Sequence, residues 1–237
     1  MNNIALLLVI SIIPSLVLGK MVYNYDKVEK EPIRLLFKLF FSGIGAVALT
    51  LMVSFGLFIL FPSMENQENL NLISLIPYCF IFVSLVEEGS KMLFLKRITW
   101  NNKEFNYIYD AIVYAVFVSL GFATIENVFY VYYINQLVVA IFRAILSVPG
   151  HAFFGVFMGY YYGLSKQAEI NGNCKLSSKN MRLSLIMPVL IHGMFDYCLF
   201  SKNGYLVIIY FIFVITLYIK SFKKIKQLSK IEKSFVE

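Results

Sequence analysis

Long runs of apolar residues, separated by short polar connections, dominate this sequence. The runs lie at about residues 4–19, 36–61, 72–95, 107–133, 138–164, 183–200 and 205–220. A helix of about 20 residues crosses the roughly 30 Å hydrocarbon core of a bilayer, where only helices and closed barrels satisfy all their backbone polar groups. The pattern therefore predicts an all-α integral membrane protein, a polytopic bundle of about seven transmembrane helices.

The composition argues against a soluble protein. Hydrophobic residues make up 59% of the 237 residues and charged residues 15%, whereas soluble domains average about 45–50% and about 25%. No repeat, low-complexity segment or soluble insertion interrupts the apolar runs, which predicts a single transmembrane domain over residues 1–237. Its basic tail at 220–237 is either a flank that stops translocation or a contact for anionic lipid.

The distribution of lysine and arginine predicts the orientation of the bundle. Nineteen of the 21 positive residues fall in alternate segments, at 20–38, 91–106, 164–182 and from 220 onward. The exceptions are Arg143 and Lys202. Because cytoplasmic loops are enriched in Lys and Arg, the N-terminus is predicted outside and the C-terminus in the cytoplasm. The net charge of +7 follows from this topology, so the expected partner is the lipid bilayer and no nucleic acid.

Several ionisable residues lie inside the predicted spans. They are Glu87, Glu88, Asp110, Glu126, Asp196 and both histidines of the chain, His151 and His192. A charged side chain at the bilayer centre costs about 2.5–3.5 kcal/mol on insertion scales, so we expect these residues to face one another or a water-filled interior. Glu87 and Glu88 precede Lys91 by four and three residues, which lets both meet it on one helix face. His192 precedes Asp196 by four residues, within reach of a mutual hydrogen bond.

Two further features concern packing. Gly155, Gly159 and Gly163 follow His151 at four-residue intervals, and such a stripe lets a neighbouring helix approach closely. Asp110 lies near the predicted cytoplasmic end of its span and is expected to be structural.

The chemistry open to these residues is hydrolysis or proton transfer. The sequence contains no HExxH helix, no GxSxG and no paired aspartates of the GxGD type. A buried carboxylate can act as a general base on water, and histidine serves as hydrogen-bond donor, second base or metal ligand. A proton- or ion-coupled transporter is the alternative, although the sequence lacks the internal repeat and broken helices that inverted-repeat transporters show.

Around these residues the sequence resembles the PrsW family of intramembrane proteases, in the superfamily of CAAX-prenyl and bacteriocin-processing proteases. The matching segments are Glu87-Glu-Gly-Ser-Lys91, Tyr109-Asp-Ala-Ile-Val-Tyr114, Gly121-Phe-Ala-Thr-Ile-Glu-Asn127, Pro149-Gly-His-Ala152 with the following Gly-Tyr-Tyr-Tyr-Gly163, and His192-Gly-Met-Phe-Asp196. Each is weak alone. Together they occur in the family's order on four consecutive spans, and they place a protease core at about 72–200.

The resemblance implies cleavage of a membrane-spanning protein in a bacterial plasma membrane. In the better-known members that protein is an anti-sigma factor, cut on its extracytoplasmic side in a site-1 type step of stress signalling. Carried onto this chain, the resemblance implies a catalytic group of Glu87, Glu88, Glu126, His151 and His192. Glu87 and Glu88 would supply the water-activating carboxylate and its neighbour, while Lys91 and Asp196 would support the site, the latter by orienting His192.

The resemblance leaves the use of a metal open. If zinc is present, the expected ligands are His151, His192 and one of Glu88 or Glu126. No two of these residues share the close spacing of a zincin helix, and this favours chemistry without a metal.

A non-catalytic membrane scaffold, as in a distant branch of the superfamily, is a further alternative. One feature strains the protease interpretation. At 1.5 Å per residue, Glu87 lies nearer the cytoplasmic end of its span, whereas Glu126 and Asp196 lie nearer the outside. A shared site therefore requires tilted helices, or a span that begins after Pro77.

Overall fold

The computed structural model describes residues 4–230 and 234–235, and this part of the chain contains helices and no strand. Within these described residues, seven helices are long and apolar enough to cross a membrane, which confirms the predicted number of spans. They are α1 (Ile4–Tyr25), α2 (Ile33–Leu60), α3 (Leu72–Thr99), α4 (Ile108–Ile134), α5 (Leu137–Ile170), α6 (Cys174–Phe200) and α7 (Gly204–Leu228). The protein is therefore a multi-pass membrane protein.

The helices extend beyond the apolar runs that predicted them. Helix α6 begins at Cys174 rather than at 183, because the Asn173 side chain accepts the Leu176 backbone N–H and caps the first turn. Helix α3 begins at Leu72 and runs through Pro77. The helix itself therefore starts before Pro77.

Helix α4 lies at the centre of the bundle. In its most apolar 18-residue window 83% of the residues are buried, compared with 22% in α1, α2 and α7. Helices α1, α2 and α5 pack directly on α4, and α6 and α7 pack against α5. A helix that is apolar on every side suits this central position.

Glycine allows the neighbours of α4 to come close. A Cβ atom at Gly159 of α5 would overlap the carbonyl oxygen of Ala111, and one at Gly121 of α4 would overlap the carbonyl oxygen of Phe40 on α2. Backbone therefore meets backbone at both contacts, as in other small-residue helix interfaces. The glycine stripe of α5 has the packing role that its spacing predicted.

The connections alternate between two ends of the bundle. The basic end comprises the loops at 26–32, 100–107 and 171–173 together with the end of α7, and the opposite end comprises the loops at 61–71, 135–136 and 201–203. At the basic end, the Asp110 carboxylate accepts the backbone N–H groups of Asn106 (2.9 Å) and Tyr107 (2.6 Å). It caps the first turn of α4, which fits the structural role expected of it.

The α1–α2 loop buries two of its three acids. Asp26 and Glu31 are buried, and Glu31 accepts the hydroxyl of Tyr114 at 2.8 Å. Glu29 accepts the side-chain amide of Asn106 at 3.0 Å. Burial raises the pKa of Asp26 to about 6 and, with repulsion from a neighbouring carboxylate, the pKa of Glu31 to about 9. The lysines of the same loop stay exposed.

Helices α3 and α5 each contain a π-helical stretch, Tyr78–Leu85 in α3 and Arg143–Ser147 in α5. Each stretch ends a few residues before an ionisable residue, Glu87 in α3 and His151 in α5. Such stretches are rare and frequently occur at functional sites. Their position next to these two residues indicates a candidate functional site between α3 and α5.

Candidate active site

A cavity of about 320 Å³ lies among helices α3 to α7. The predicted site residues on its wall are Glu87, Glu126, His151, His192 and Asp196. Gln67, from the loop at the opposite end of the bundle, also lines it. Glu88 and Lys91 lie behind the wall and are fully buried. The structure thus gathers all seven predicted residues around one cavity.

The ammonium group of Lys91 organises the buried side of the site. It donates to Glu88 Oε1 at 2.8 Å, lies 3.0 Å from His151 Nδ1, and lies 3.6 Å from Glu87 Oε2. An ammonium group can only donate, so His151 Nδ1 must accept and the ring proton must be on Nε2. That nitrogen lies 2.8 Å from Glu126 Oε2. Both nitrogens of His151 are therefore engaged.

The second imidazole, His192, lies between carboxylates. Its Nδ1 is 2.9 Å from Glu88 Oε1, and its Nε2 is 3.4 Å from Asp196 Oδ2 and 4.0 Å from Glu87 Oε2. Phe154 stacks on the ring with centroids 4.7 Å apart and fixes its plane. Carboxylates only accept hydrogen bonds, so this arrangement favours an imidazolium with a proton on each nitrogen, whose Nε2 side faces the cavity.

The adjacent glutamates, Glu87 and Glu88, have different environments. The Glu88 side chain is 0% exposed and binds both Lys91 and His192, whereas the Glu87 side chain is 12% exposed and lines the cavity. Among the described residues, Glu87 Oε2 has no hydrogen-bond partner. Of the two, Glu87 is the carboxylate at the cavity wall, with its Oε2 buried 3.6 Å from Lys91, and Glu88 is the one that holds the neighbouring side chains.

Arg143 belongs to the site, although its position in the sequence marked it only as an exception to the distribution of positive charge. Its Nη2 lies 3.1 Å from Glu126 Oε1, its Nε donates to Asn127 Oδ1 at 3.0 Å, and its guanidinium group lies 3.8 Å from the centroid of the Tyr130 ring. An arginine inside a span requires such partners, and this was the signal that could have identified it. Arg143 and His151 thus each bind one oxygen of Glu126, and this holds the carboxylate in place at the cavity wall.

The apparent mismatch in depth has a geometric explanation. Helix α3 has 28 residues and α5 has 34, which gives lengths of roughly 42 Å and 51 Å at 1.5 Å per residue. Both exceed the roughly 30 Å hydrocarbon core, so the helices tilt or project beyond it. A residue's distance from the helix end therefore does not measure its depth. The tertiary contacts bring Glu87 and Asp196 within the same cavity.

The sequence profile of the PrsW family of intramembrane metalloproteases matches residues 31–219 of the chain. The chain belongs to the PrsW family. It is 33% identical over 215 residues to Protease PrsW of Clostridioides difficile strain 630, covering 90% of this chain and 87% of that relative. It is 31% identical over 195 residues to Protease PrsW of Bacillus subtilis strain 168, covering 82% and 83%. No solved structure matches the chain at a significant level.

Membership of the PrsW family confirms the resemblance seen in the sequence. The protein is an intramembrane protease, a membrane-embedded hydrolase. Family membership therefore favours a protease over the two alternatives, a transporter and a non-catalytic scaffold. The seven apolar helices and the bacterial relatives agree with this assignment.

The PrsW family is described as a metalloprotease family, and the donor atoms of the site suit a metal. Within the part of the chain that the structure describes, Glu87, Glu88, His151 and His192 each offer a ligand atom, all within 4.8 Å of one another. Zinc takes such imidazole and carboxylate ligands. The group includes Glu87, which was not an expected ligand, and omits Glu126. However, the Lys91 ammonium already lies among the same donors and would have to withdraw.

Proposed function

We propose that this protease cleaves single-pass membrane proteins, specifically anti-sigma factors, near the outer surface of the bacterial plasma membrane. The basic end of the bundle would face the cytoplasm, since Lys and Arg accumulate there. The cavity, which reaches Gln67 of the opposite end, would then receive its substrate from the extracytoplasmic side. The anti-sigma factor is the substrate implied by the family resemblance.

The observation that carries the mechanism is the pair formed by Glu87 and His192 across the cavity wall. Glu87 Oε2, with no hydrogen-bond partner among the described residues, lies 4.0 Å from His192 Nε2. We propose that Glu87 removes a proton from water as a general base. His192 donates a hydrogen bond to the carbonyl oxygen as negative charge develops on it.

The same two residues complete the reaction. The water oxygen bonds to the carbonyl carbon, the C–N bond breaks, and Glu87 returns its proton to the leaving amine. Glu88 holds the ring of His192 at Nδ1, and Asp196, 3.4 Å from Nε2, orients that N–H until the substrate carbonyl replaces it as acceptor. Glu126 and His151 line the same wall and support the site, because they bind each other and their neighbours Lys91 and Arg143.

We propose that this reaction proceeds without a metal. The Lys91 ammonium and the His192 imidazolium supply positive charge among the carboxylates that would otherwise bind a cation. If a metal does bind, Glu87, Glu88, His151 and His192 would hold it, and it would polarise the scissile carbonyl as a Lewis acid.

Arg143 is proposed as a positioning residue. It neutralises Glu126 at 3.1 Å, and Glu126 in turn holds the Nε2–H of His151 at 2.8 Å. Asn127 ties Arg143 to the backbone of α1, since its amide also donates to the Ser11 carbonyl at 3.3 Å. The catalytic group is thereby fixed to the first span of the bundle.

The test is co-expression with a panel of tagged single-pass anti-sigma factors. The wild type should release a shortened fragment from at least one of them, and Glu87→Gln should release none, because a carboxamide is a far weaker base. Glu65→Gln is the matched control, since Glu65 lies exposed in the loop at 61–71. This variant should cleave the substrate like the wild type. Cleavage by Glu87→Gln at the wild-type rate would overturn the assigned base, and a wild type that cuts none of the panel would overturn the substrate class.

A further inference from the structure

A second cavity, which shares no lining residue with the catalytic cavity, lies in a cleft between α1 and α2. Both helices pack on α4, and the cleft between them has a volume of about 390 Å³ with Phe117 and Leu120 of α4 at its floor. Gly19 of α1 helps to keep it open. A Cβ at that position would lie 3.5 Å from the Phe117 ring and 3.6 Å from Leu120, so a larger side chain there would enter the space.

The length of the cleft corresponds to one leaflet of a bilayer. It extends along α1 from Ser15 to Tyr23 and along α2 from Ile33 to Phe41, about 12 Å on each helix at 1.5 Å per residue. Half of the hydrocarbon core is about 15 Å. Tyr23 and Ile33 lie next to the loop of the basic end, so the cleft begins at that surface and stops near the middle of the bilayer.

The mouth of the cleft is positively charged. Lys20 lines it, and the Lys30 ammonium lies 4.2 Å from the centroid of the Tyr23 ring, which also lines it. Lys27 lies on the adjoining surface. These three lysines are exposed and form no ion pair with any residue that the structure describes. Of the acids in the same loop, Asp26 and Glu31 are buried and the exposed Glu29 accepts from Asn106, so the three lysines outnumber the one exposed acid.

We propose that this cleft binds one acidic phospholipid, with an acyl chain between α1 and α2 and the phosphate at Lys20 and Lys30. Hydrocarbon fills such a gap because an open one forfeits dispersion contacts on its apolar walls. Basic residues at the membrane surface attract anionic headgroups. A transmembrane helix of a partner protein fits less well, because it would cross the whole bilayer whereas the cleft covers one leaflet.

The test is native mass spectrometry of the purified protein after equilibration with phosphatidylglycerol and phosphatidylcholine of identical acyl chains in equal amounts. The wild type should retain one phosphatidylglycerol with at least a fivefold preference over phosphatidylcholine. Gly19→Leu should lower the retained lipid at least fivefold. The matched control is Gly56→Leu, also in an outer helix, where a Cβ would meet nothing within 4 Å, and it should retain lipid like the wild type.

The paired substitution Lys20→Gln with Lys30→Gln separates charge from shape. It should remove the preference for phosphatidylglycerol while the cleft itself stays open. Neither residue is buried, so the variant should fold like the wild type. Equal retention of the two lipids by the wild type, or no retained lipid at all, would overturn the proposal. Retention of phosphatidylglycerol by Gly19→Leu at the wild-type level would also overturn it. None of these readouts depends on proteolysis, so the proposal stands or falls separately from the proposed substrate.

Discussion

The clearest test of the proposed roles compares two isosteric substitutions at neighbouring positions, Glu87→Gln and Glu88→Gln. Both replace a carboxylate by an amide of the same shape, and both should abolish cleavage. Their effects on stability should differ, because only Glu88 makes a fully buried ion pair. Its Oε1 lies 2.8 Å from the Lys91 ammonium, and both side chains are 0% exposed.

The size of the difference follows from this geometry. Removing one partner of a buried ion pair costs about 3–5 kcal/mol, because the other charge stays buried without compensation. Glu87, 3.6 Å from the same ammonium, compensates part of this loss, so we expect Glu88→Gln to cost about 3 kcal/mol. For a protein of this size that corresponds to a fall of about 6–12 °C in melting temperature. Glu87→Gln should cost less, about 1 kcal/mol, because it loses only the longer 3.6 Å ion pair of a partly exposed side chain, while Glu88 still pairs with Lys91 at 2.8 Å.

The assay is thermal unfolding of the two variants in one detergent, together with cleavage of the same substrate. A matched control is Glu68→Gln, an exposed acid in the loop at 61–71, which should change neither quantity. Equal melting temperatures for Glu87→Gln and Glu88→Gln would refute the division of roles. Residual activity in Glu87→Gln alone would assign the base to Glu88 instead.

Four other outcomes are expected. Labelling of single introduced cysteines should place residues 97–105 and 166–180 in the cytoplasm. Labelling of either segment from the outside would contradict the predicted orientation. Arg143→Gln should lower kcat about 10- to 100-fold with KM little changed, and Arg143→Lys should restore part of it; a change in KM alone would contradict a positioning role. Purified active enzyme should contain no stoichiometric metal by mass spectrometry, and one zinc per chain, lost in His192→Ala, would overturn the metal-free mechanism. Because the folded-state pKa of Asp26 is raised from 3.8 to about 6, the folded state binds the extra proton, so Asp26 should lower stability by at most roughly 3 kcal/mol as pH rises from about 4 to 7; Asp26→Asn should remove this part of the fall and leave the part due to Glu31, and an unchanged pH profile in that variant would refute it.

The sequence by itself determined the spans and the local pairs. A bilayer accepts long apolar segments only as helices or closed barrels, so the apolar runs fixed the number of helices before any packing was known. Residues three and four apart on a helix are neighbours, and the pairs of Lys91 with Glu88 and of His192 with Asp196 followed from spacing. The start of α6 at Cys174 did not, because a polar first turn capped by Asn173 carries no apolar signal.

The tertiary structure decided which of these residues face the cavity. Lys91 meets His151 across 60 residues of sequence, and Glu88 meets His192 across 104, so these contacts depend on how long helices tilt and pack. Spacing alone could not show that Glu88 lies behind the wall while Glu87 lines it, nor that Arg143 engages Glu126. The cleft between α1 and α2 likewise exists only because two helices pack on a third without closing on each other. Sequence periodicity records contacts along one helix, whereas the site is built from contacts between helices.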